Sequence, residues 1–170
     1  MSLIYESTKT FTHAQGLSCC FRQWRANDSH CRFLHGYALQ VKLTFAAKTL
    51  DERKWVIDFG SFKVLKRWLE ITFDHKLLVA KDDPELQTFR ALAYTHNVVQ
   101  LVLVEDVGCE AFAKMISDFV TSWLEVNRYS PRVWMQSVEV SEHAGNSAIV
   151  RSNAYSATDF VVNVDSHHVE

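Results

Sequence analysis

The 170-residue chain has little of what breaks or tethers structure: two prolines, five glycines and four cysteines. So few breakers leave no room for a Pro- or Gly-rich linker, and residues 1–170 read as one domain with its own core. No apolar run approaches the ~18 residues needed to span a bilayer, so no membrane role is expected, and the N-terminus shows no secretory pattern. Neither sign of charge dominates. Eighteen Lys and Arg against 20 Asp and Glu give a net charge of −2, which offers no electrostatic footprint for nucleic acid. Cys19, Cys20, Cys31 and Cys109 contain no Cys-x-x-Cys spacing, which excludes a zinc ribbon. Reduced thiols in a cytoplasmic protein are the expectation.

What is present is patterned. Alternation from Tyr5 to Gln15 predicts a strand with Tyr5, Ser7, Lys9, Phe11, His13 and Gln15 on one face, and residues 18–30 read as a long loop. A second strand is predicted from Gly36 to Ala46, where Leu39, Val41, Leu43 and Phe45 alternate with polar or small residues. WVIDF is a short extended segment before a helix capped by Ser61, with Phe62, Leu65, Trp68 and Leu69 at helical spacing. FDHKLLV is extended again. KDDPEL is a turn before a short helix ending near Tyr94, and VVQLVLVED is a buried or edge strand. An amphipathic helix runs from Cys109 to Val126. The last long strand, Val133 to Glu142, places Trp134, Gln136, Val138, Val140 and Glu142 on one face, and TDFVVNV suggests an extra strand in the tail. Helices following pairs of strands point to α+β with an antiparallel sheet.

Three features carry potential chemistry. Glu142 ends a strand in phase with Val138 and Val140, where a buried carboxylate requires a partner; a frayed or bulged strand end is the alternative. Asp74-His75 can form a proton relay if the carboxylate orients the imidazole across a turn, or can be a solvated turn. Cys31 lies between His30 and Arg32 in HCRFLHGY, with His35 four residues on; cationic neighbours favour a thiolate. A small buried thiol is the plainer reading.

The order of these pieces resembles the 6-pyruvoyl-tetrahydropterin and 6-carboxytetrahydropterin synthases. Members carry a Phe-x-Ala-x-His strand, Cys-x-x-Leu-His-Gly-His, Ile-Asp-Phe before a helix, Asp-His, a Glu starting the second long helix, and a Glu near the end of the last strand. Here the pieces read FTHAQ, CRFLHGY, VIDF, FDH, GCEAFAKMI and EVSEH, from about Phe11 to Glu142; residues 145–170 lie outside the resemblance as an extension, and 82–106 is longer than a minimal member needs. The resemblance implies a T-fold, with two main helices on one face of an antiparallel sheet. It also implies a homo-oligomeric barrel, usually a hexamer, with active sites between subunits. By position, Cys31 would shuttle protons with Asp74 and His75, Glu142 would anchor a pterin ring, and Glu110 would lie near it.

The implied activity is that of a lyase eliminating triphosphate from 7,8-dihydroneopterin triphosphate. A carboxy product would feed queuosine synthesis, and a pyruvoyl product would lead toward tetrahydrobiopterin. Family members bind zinc through three histidines. Here Gln15 and Tyr37 occupy two of those places, leaving His35, with His13 as a candidate second ligand and His30 a third. A hydrogen-bonded polar cluster of His13, Gln15, His35 and Tyr37 is the alternative to a metal. The alternative to an enzyme is a ligand-binding T-fold protein, for pterin or purine-like molecules, that has lost the zinc site.

Overall fold

The computed structural model describes residues 3–152. The chain forms eight strands and three helices in this span, arranged as two four-stranded sheets. The tail segment TDFVVNV and the pair His167-His168 lie outside the described residues. No helix among the described residues is long and apolar enough to cross a membrane.

The larger sheet is antiparallel, in the order β1 (Tyr5–Phe11), β4 (Gln40–Ala47), β7 (Val133–His143) and β8 (Asn146–Arg151). The alternation expected of β4 is present: Val41, Leu43 and Phe45 are fully buried, while Lys42 is exposed. Two helices, α1 (Lys63–Phe73) and α3 (Cys109–Val126), contribute to the core that this sheet shares. Leu65, Leu69 and Phe73 from α1 meet Phe112, Ile116 and Val120 from α3 in one cluster with the sheet residues. Trp68 stacks on Phe119 at 4.0 Å between ring centroids, joining the two helices outside that core.

The smaller sheet is mixed. Its order is β3 (His35–Ala38), β2 (Ser18–Phe21), β5 (Lys76–Ala80) and β6 (Leu101–Val104), with β2–β5 and β5–β6 parallel. A parallel pair needs a crossover, and the segment between β5 and β6 provides one through helix α2 (Leu86–Tyr94). This accounts for the apolar run in β5. Leu78 and Ala80 enter the main core, whereas Leu77 and Val79 pack with Phe89 of α2.

Several local expectations change. The first strand stops at Phe11, because His13–Gln15 forms a 3-10 turn ended by Gly16 in the left-handed region at φ 83°. His13 and Gln15 therefore do not continue one strand face. The supposed loop at 18–30 begins with β2, whose Cys19 and Phe21 are buried. Asp58, not Ser61, caps the turn before α1, accepting the Gly60 N–H at 2.7 Å, while the Ser61 hydroxyl donates to the Asp58 carbonyl. In β7 the register against β4 slips by one residue at Gln136, since Met135 faces Phe45 but Ser137 faces Thr44. Val133 and Met135 are buried before this bulge, and Val138 and Val140 after it, so Trp134 and Gln136 do not share the face of Val138, Val140 and Glu142.

Phe45 is fully buried and stacked on Phe62 at 5.0 Å. Phe45→Ala is expected to cost about 3–5 kcal/mol through lost burial and a residual cavity, whereas Val64→Ala, at an exposed position, should stay within ~0.5 kcal/mol. Urea unfolding midpoints check both.

Candidate functional site

A cavity of about 360 Å³ brings together Cys31, His35, Cys109, Glu110 and Glu142. Its walls come from the loop after β2, the start of β3, the first turn of α3 and the end of β7. Asn146, Ser147 and Ala148 of β8 also line it; nothing in their spacing marks them beyond nearness to Glu142. A larger concavity of about 700 Å³ lies elsewhere, along β2 and β5. Size does not decide between them; convergent ionisable groups mark the smaller one as the candidate site.

Each side chain arrives for a local reason. Cys31 sits in a short 3-10 turn, His30–Arg32, where the Ser29 hydroxyl accepts the Cys31 N–H at 3.2 Å and the Cys31 carbonyl accepts the Gln23 N–H at 2.8 Å. Its side chain is exposed. Arg32 is turned to the Asn27 carbonyl and lies over the Phe33 ring, so this sequence neighbour is engaged elsewhere. His35 is half-buried, with Nδ1 donating to the Phe33 carbonyl at 2.8 Å, which leaves Nε2 as its free nitrogen. Gly108, with φ 110°, turns the chain into α3, and Glu110 occupies the first turn, where the helix dipole favours a carboxylate. Glu142 keeps the inward phase of Val138 and Val140. A second register shift against β8, between Ser141 and His143, falls at Glu142 itself.

The loop carrying Cys31 is held by the segment that lengthens this chain. Arg22 makes a two-point contact with Asp83, through Nε at 2.9 Å and a terminal nitrogen at 2.5 Å. Asp83 is only 4% exposed, and removing one partner of a buried pair leaves a charge uncompensated. Burial, which lowers the Arg22 pKa, is outweighed by its bond to Asp83, and the guanidinium ends above its ordinary value. Arg25 contacts Asp82 and Asp106, and the Trp24 indole N–H donates to Asp82. Asp82, Asp83 and Asp106 all belong to residues 82–106.

Two thiols that the motifs did not single out lie beside the anchor carboxylate. Burial pushes Cys109 up to about 12; the charges of Glu142 and Glu110 add to this, and a hydrogen bond from the Glu142 backbone opposes it. Burial likewise pushes Cys19 up to about 12, followed by the charges of Cys20, Cys109 and Glu142. These are protonated thiols at neutral pH. Cys109 had a signal in the sequence, as the first residue of the expected amphipathic helix; Cys19, within the stretch read as a loop, had none.

Asp74 and His75 are not in this cavity. Asp74 caps the end of α1, and its Oδ1 pairs with His75 Nδ1 at 2.9 Å. The His75 side chain is 80% exposed, yet its backbone is held at φ 57° while its N–H donates to the Ser18 carbonyl at 2.6 Å. A left-handed conformation at a non-glycine residue costs of order 1–3 kcal/mol and requires support from its surroundings. The pair borders a separate surface concavity with Arg67, Lys76 and Gln100.

The donor set does not fit a three-ligand transition-metal centre. Gln15 Oε1 accepts the Thr12 N–H at 3.0 Å, completing a capping box. His13 Nδ1 faces the Ala38 carbonyl, and its Nε2 is buried without a hydrogen-bond partner among the described residues. Tyr37 carries a phenol whose pKa is raised by burial first, then by the charges of Glu142, Cys31 and Cys109, which opposes the deprotonation a metal requires. Among the described residues no three His, Cys, Asp or Glu side chains are grouped to hold a metal ion. His13 and His35 are each fixed through Nδ1 to a backbone carbonyl, Ala38 and Phe33 respectively.

Comparison with known proteins agrees with this architecture. The family model for 6-pyruvoyl tetrahydropterin synthase matches residues 10–153, taking in β8 as well as the site. A 6-carboxy-5,6,7,8-tetrahydropterin synthase of Rickettsia typhi is 44% identical over 61 residues, 35% of this chain and 44% of that protein. The chain thus matches less than half the length of that relative. The Aquifex aeolicus protein of the same name is 26% identical over 136 residues, covering 71% of this chain and 82% of its own. Among solved structures, an uncharacterized protein of Wolinella succinogenes superposes with a TM-score of 0.74 at 22% identity, over 88% of this chain and 99% of that one. The 6-pyruvoyl tetrahydropterin synthase of Plasmodium vivax superposes with 0.64 at 16% identity, over 88% and 98%. At these identities the superpositions establish the T-fold.

The raised Cys109 pKa has a sign that can be tested. Below its ordinary value of 9.0 the thiol is protonated in folded and unfolded chains alike; above it the unfolded chain ionises first. Stability should therefore fall as pH rises from about 9 toward about 12. Cys109→Ala is expected to make that fall shallower than in the parent, as read from urea midpoints across the same pH series.

Proposed function

The chain belongs to the 6-pyruvoyl tetrahydropterin synthase family, and we propose that it is a pterin-processing lyase acting on 7,8-dihydroneopterin triphosphate. The observation that carries this reading is the convergence of Glu110, Glu142 and the Cys31 thiol in one cavity whose lining includes no lysine or arginine. Such a site suits the donor-rich edge of an aminopyrimidine ring, which a carboxylate binds through charge-assisted hydrogen bonds. Glu142 fixes that edge. Cys31, on the exposed turn, takes and returns protons on the ligand's side chain as triphosphate leaves.

The Asp74–His75 pair acts from a second copy of the chain. Its exposure, its strained but supported backbone, and its place outside the cavity support a role across an interface, where it would hold and relay the proton that Cys31 exchanges. The working form in this reading is a homo-oligomer, with a hexamer as the family expectation. No step is assigned to a metal, since the donors present do not fit one.

Cys31→Ala is expected to lower turnover by at least ~10² while leaving the fold and pterin binding intact. Glu142→Gln should weaken pterin binding by roughly 10- to 100-fold, as loss of a hydrogen bond to a charged group does. Mixing Cys31→Ala with His75→Ala protein after dissociation and reassembly should regain activity that neither has alone. Pterin binding without turnover in the parent protein would instead favour the ligand-binding reading. No binding at all would overturn both.

A further inference from the structure

The turn that presents Cys31 is tied, through one residue, to a buried ion pair. That residue is Gln23, which lines the cavity. Its backbone N–H donates to the Cys31 carbonyl at 2.8 Å, closing the loop from Gln23 to Cys31 at its neck. Its side-chain amide donates to the Val107 carbonyl at 3.3 Å, just ahead of the turn into α3 that carries Glu110. Gln23 is therefore a crosspiece between the Cys31 turn and the start of α3. The next residue back, Arg22, is fixed on two sides. Its guanidinium lies over the Phe89 ring of α2 at 5.5 Å and donates to both oxygens of Asp83. The Asp83 side chain is 1% exposed, and its Oδ1 also accepts the Glu85 N–H at 2.8 Å. A buried ion pair is a weak source of net stability, but a guanidinium held at two points has a defined direction. Neither Arg22 nor Asp83 lines the cavity.

We propose that Arg22 and Asp83 are positioning residues for proton transfer at Cys31, acting through Gln23 to hold the thiol at its working distance from the ligand. The inference rests on the lyase reading and deepens it. Neither residue touches the ligand or exchanges a proton. A displacement of about 1 Å at a reacting group costs up to about 10²-fold in rate, so slack in this loop is paid in turnover. Ring binding does not pass through the loop, because Glu142 stands on β7, whose register is set against β4 and β8. Loss of the pair should therefore separate catalysis from binding.

The test follows three readouts in the full chain: turnover of 7,8-dihydroneopterin triphosphate, fluorescence titration with oxidised pterin, and amide hydrogen exchange. Asp83→Asn keeps an oxygen for the Glu85 N–H and leaves Arg22 without its charge partner. It should lower kcat by about 10- to 10²-fold, with KM and pterin affinity as in the parent. Exchange should quicken in residues 22–32 and not in β4 or β7. Arg22→Lys keeps the charge and loses the two-point contact, and it should show the same split. Arg22→Met combined with Asp83→Asn leaves no charge unpaired, so its thermal melt should return toward the parent while kcat stays low. Arg25→Ala, on the same loop but in exposed pairs with Asp82 and Asp106, should keep the parent kcat. Should Asp83→Asn fail to fold, Arg22→Lys and the double variant carry the test. A parent-like kcat in the folded double variant overturns the inference, because the pair would then serve stability alone. So does a loss of pterin affinity in Asp83→Asn as large as its loss of kcat, or an equal loss of kcat in Arg25→Ala. If the parent protein turns over and Asp83→Asn keeps its kcat, only the role of the pair falls. If the parent protein does not turn over, the lyase reading falls and this role falls with it.

Discussion

A single extra residue in β7, Gln136, sets the direction in which the far half of that strand looks. Ahead of it Val133 and Met135 face the core; behind it Val138 and Val140 do, and Glu142, two residues further and half-buried, lines the cavity. Side chains in a strand alternate with period two, so one inserted residue exchanges the two faces. Without the bulge, the phase of Val133 and Met135 would turn Ser141 inward and Glu142 outward. The anchor carboxylate of the cavity thus lies about 20 Å along the strand from this irregularity, at the ~3.4 Å rise per residue of an antiparallel pair.

The rest of the site is assembled around that strand end. Packing of α3 against β7 delivers Glu110 and Cys109 beside Glu142, and the Glu142 backbone hydrogen bond to Cys109 joins the two elements directly. The loop that brings Cys31 packs Trp24 against the core. It is tied down by Arg22 and Arg25 to Asp82, Asp83 and Asp106. Of these, the buried Arg22–Asp83 contact matters most, because exposed ion pairs such as those of Arg25 contribute little. The crossover between β5 and β6 therefore does more than add a strand to the small sheet: it positions the acidic residues that hold the Cys31 turn.

The chemistry of the cavity departs from a three-histidine metal site in a coherent way. Gln15 turns its amide back into its own 3-10 turn, His13 is buried against a carbonyl, and Tyr37 remains a protonated phenol between aromatic neighbours. These arrangements engage the Gln15 amide and keep the Tyr37 phenol protonated, while His13 and His35 each retain an Nε2 without a hydrogen-bond partner among the described residues. The thiols of Cys19 and Cys109, held protonated by burial, keep further negative charge away from the two carboxylates.

Local pattern is enough to specify the elements whose burial is repetitive: β4 with its clean alternation, the apolar stripe of α3, and the apolar core-forming positions of α1. It also carried the chain order of motifs that marks the family, since those residues are recognisable without coordinates. It could not determine where periodicity breaks. The bulge at Gln136 and the short β2 each depend on pairing with strands distant in sequence, and local spacing carries no record of a partner's register. Tertiary structure alone decided that Cys31, His35, Glu110 and Glu142 share a cavity while Asp74 and His75 look elsewhere. A strand end, a helix start and a loop meet only through the packing of the two sheets with α3, and that packing separates side chains whose motifs read as one set.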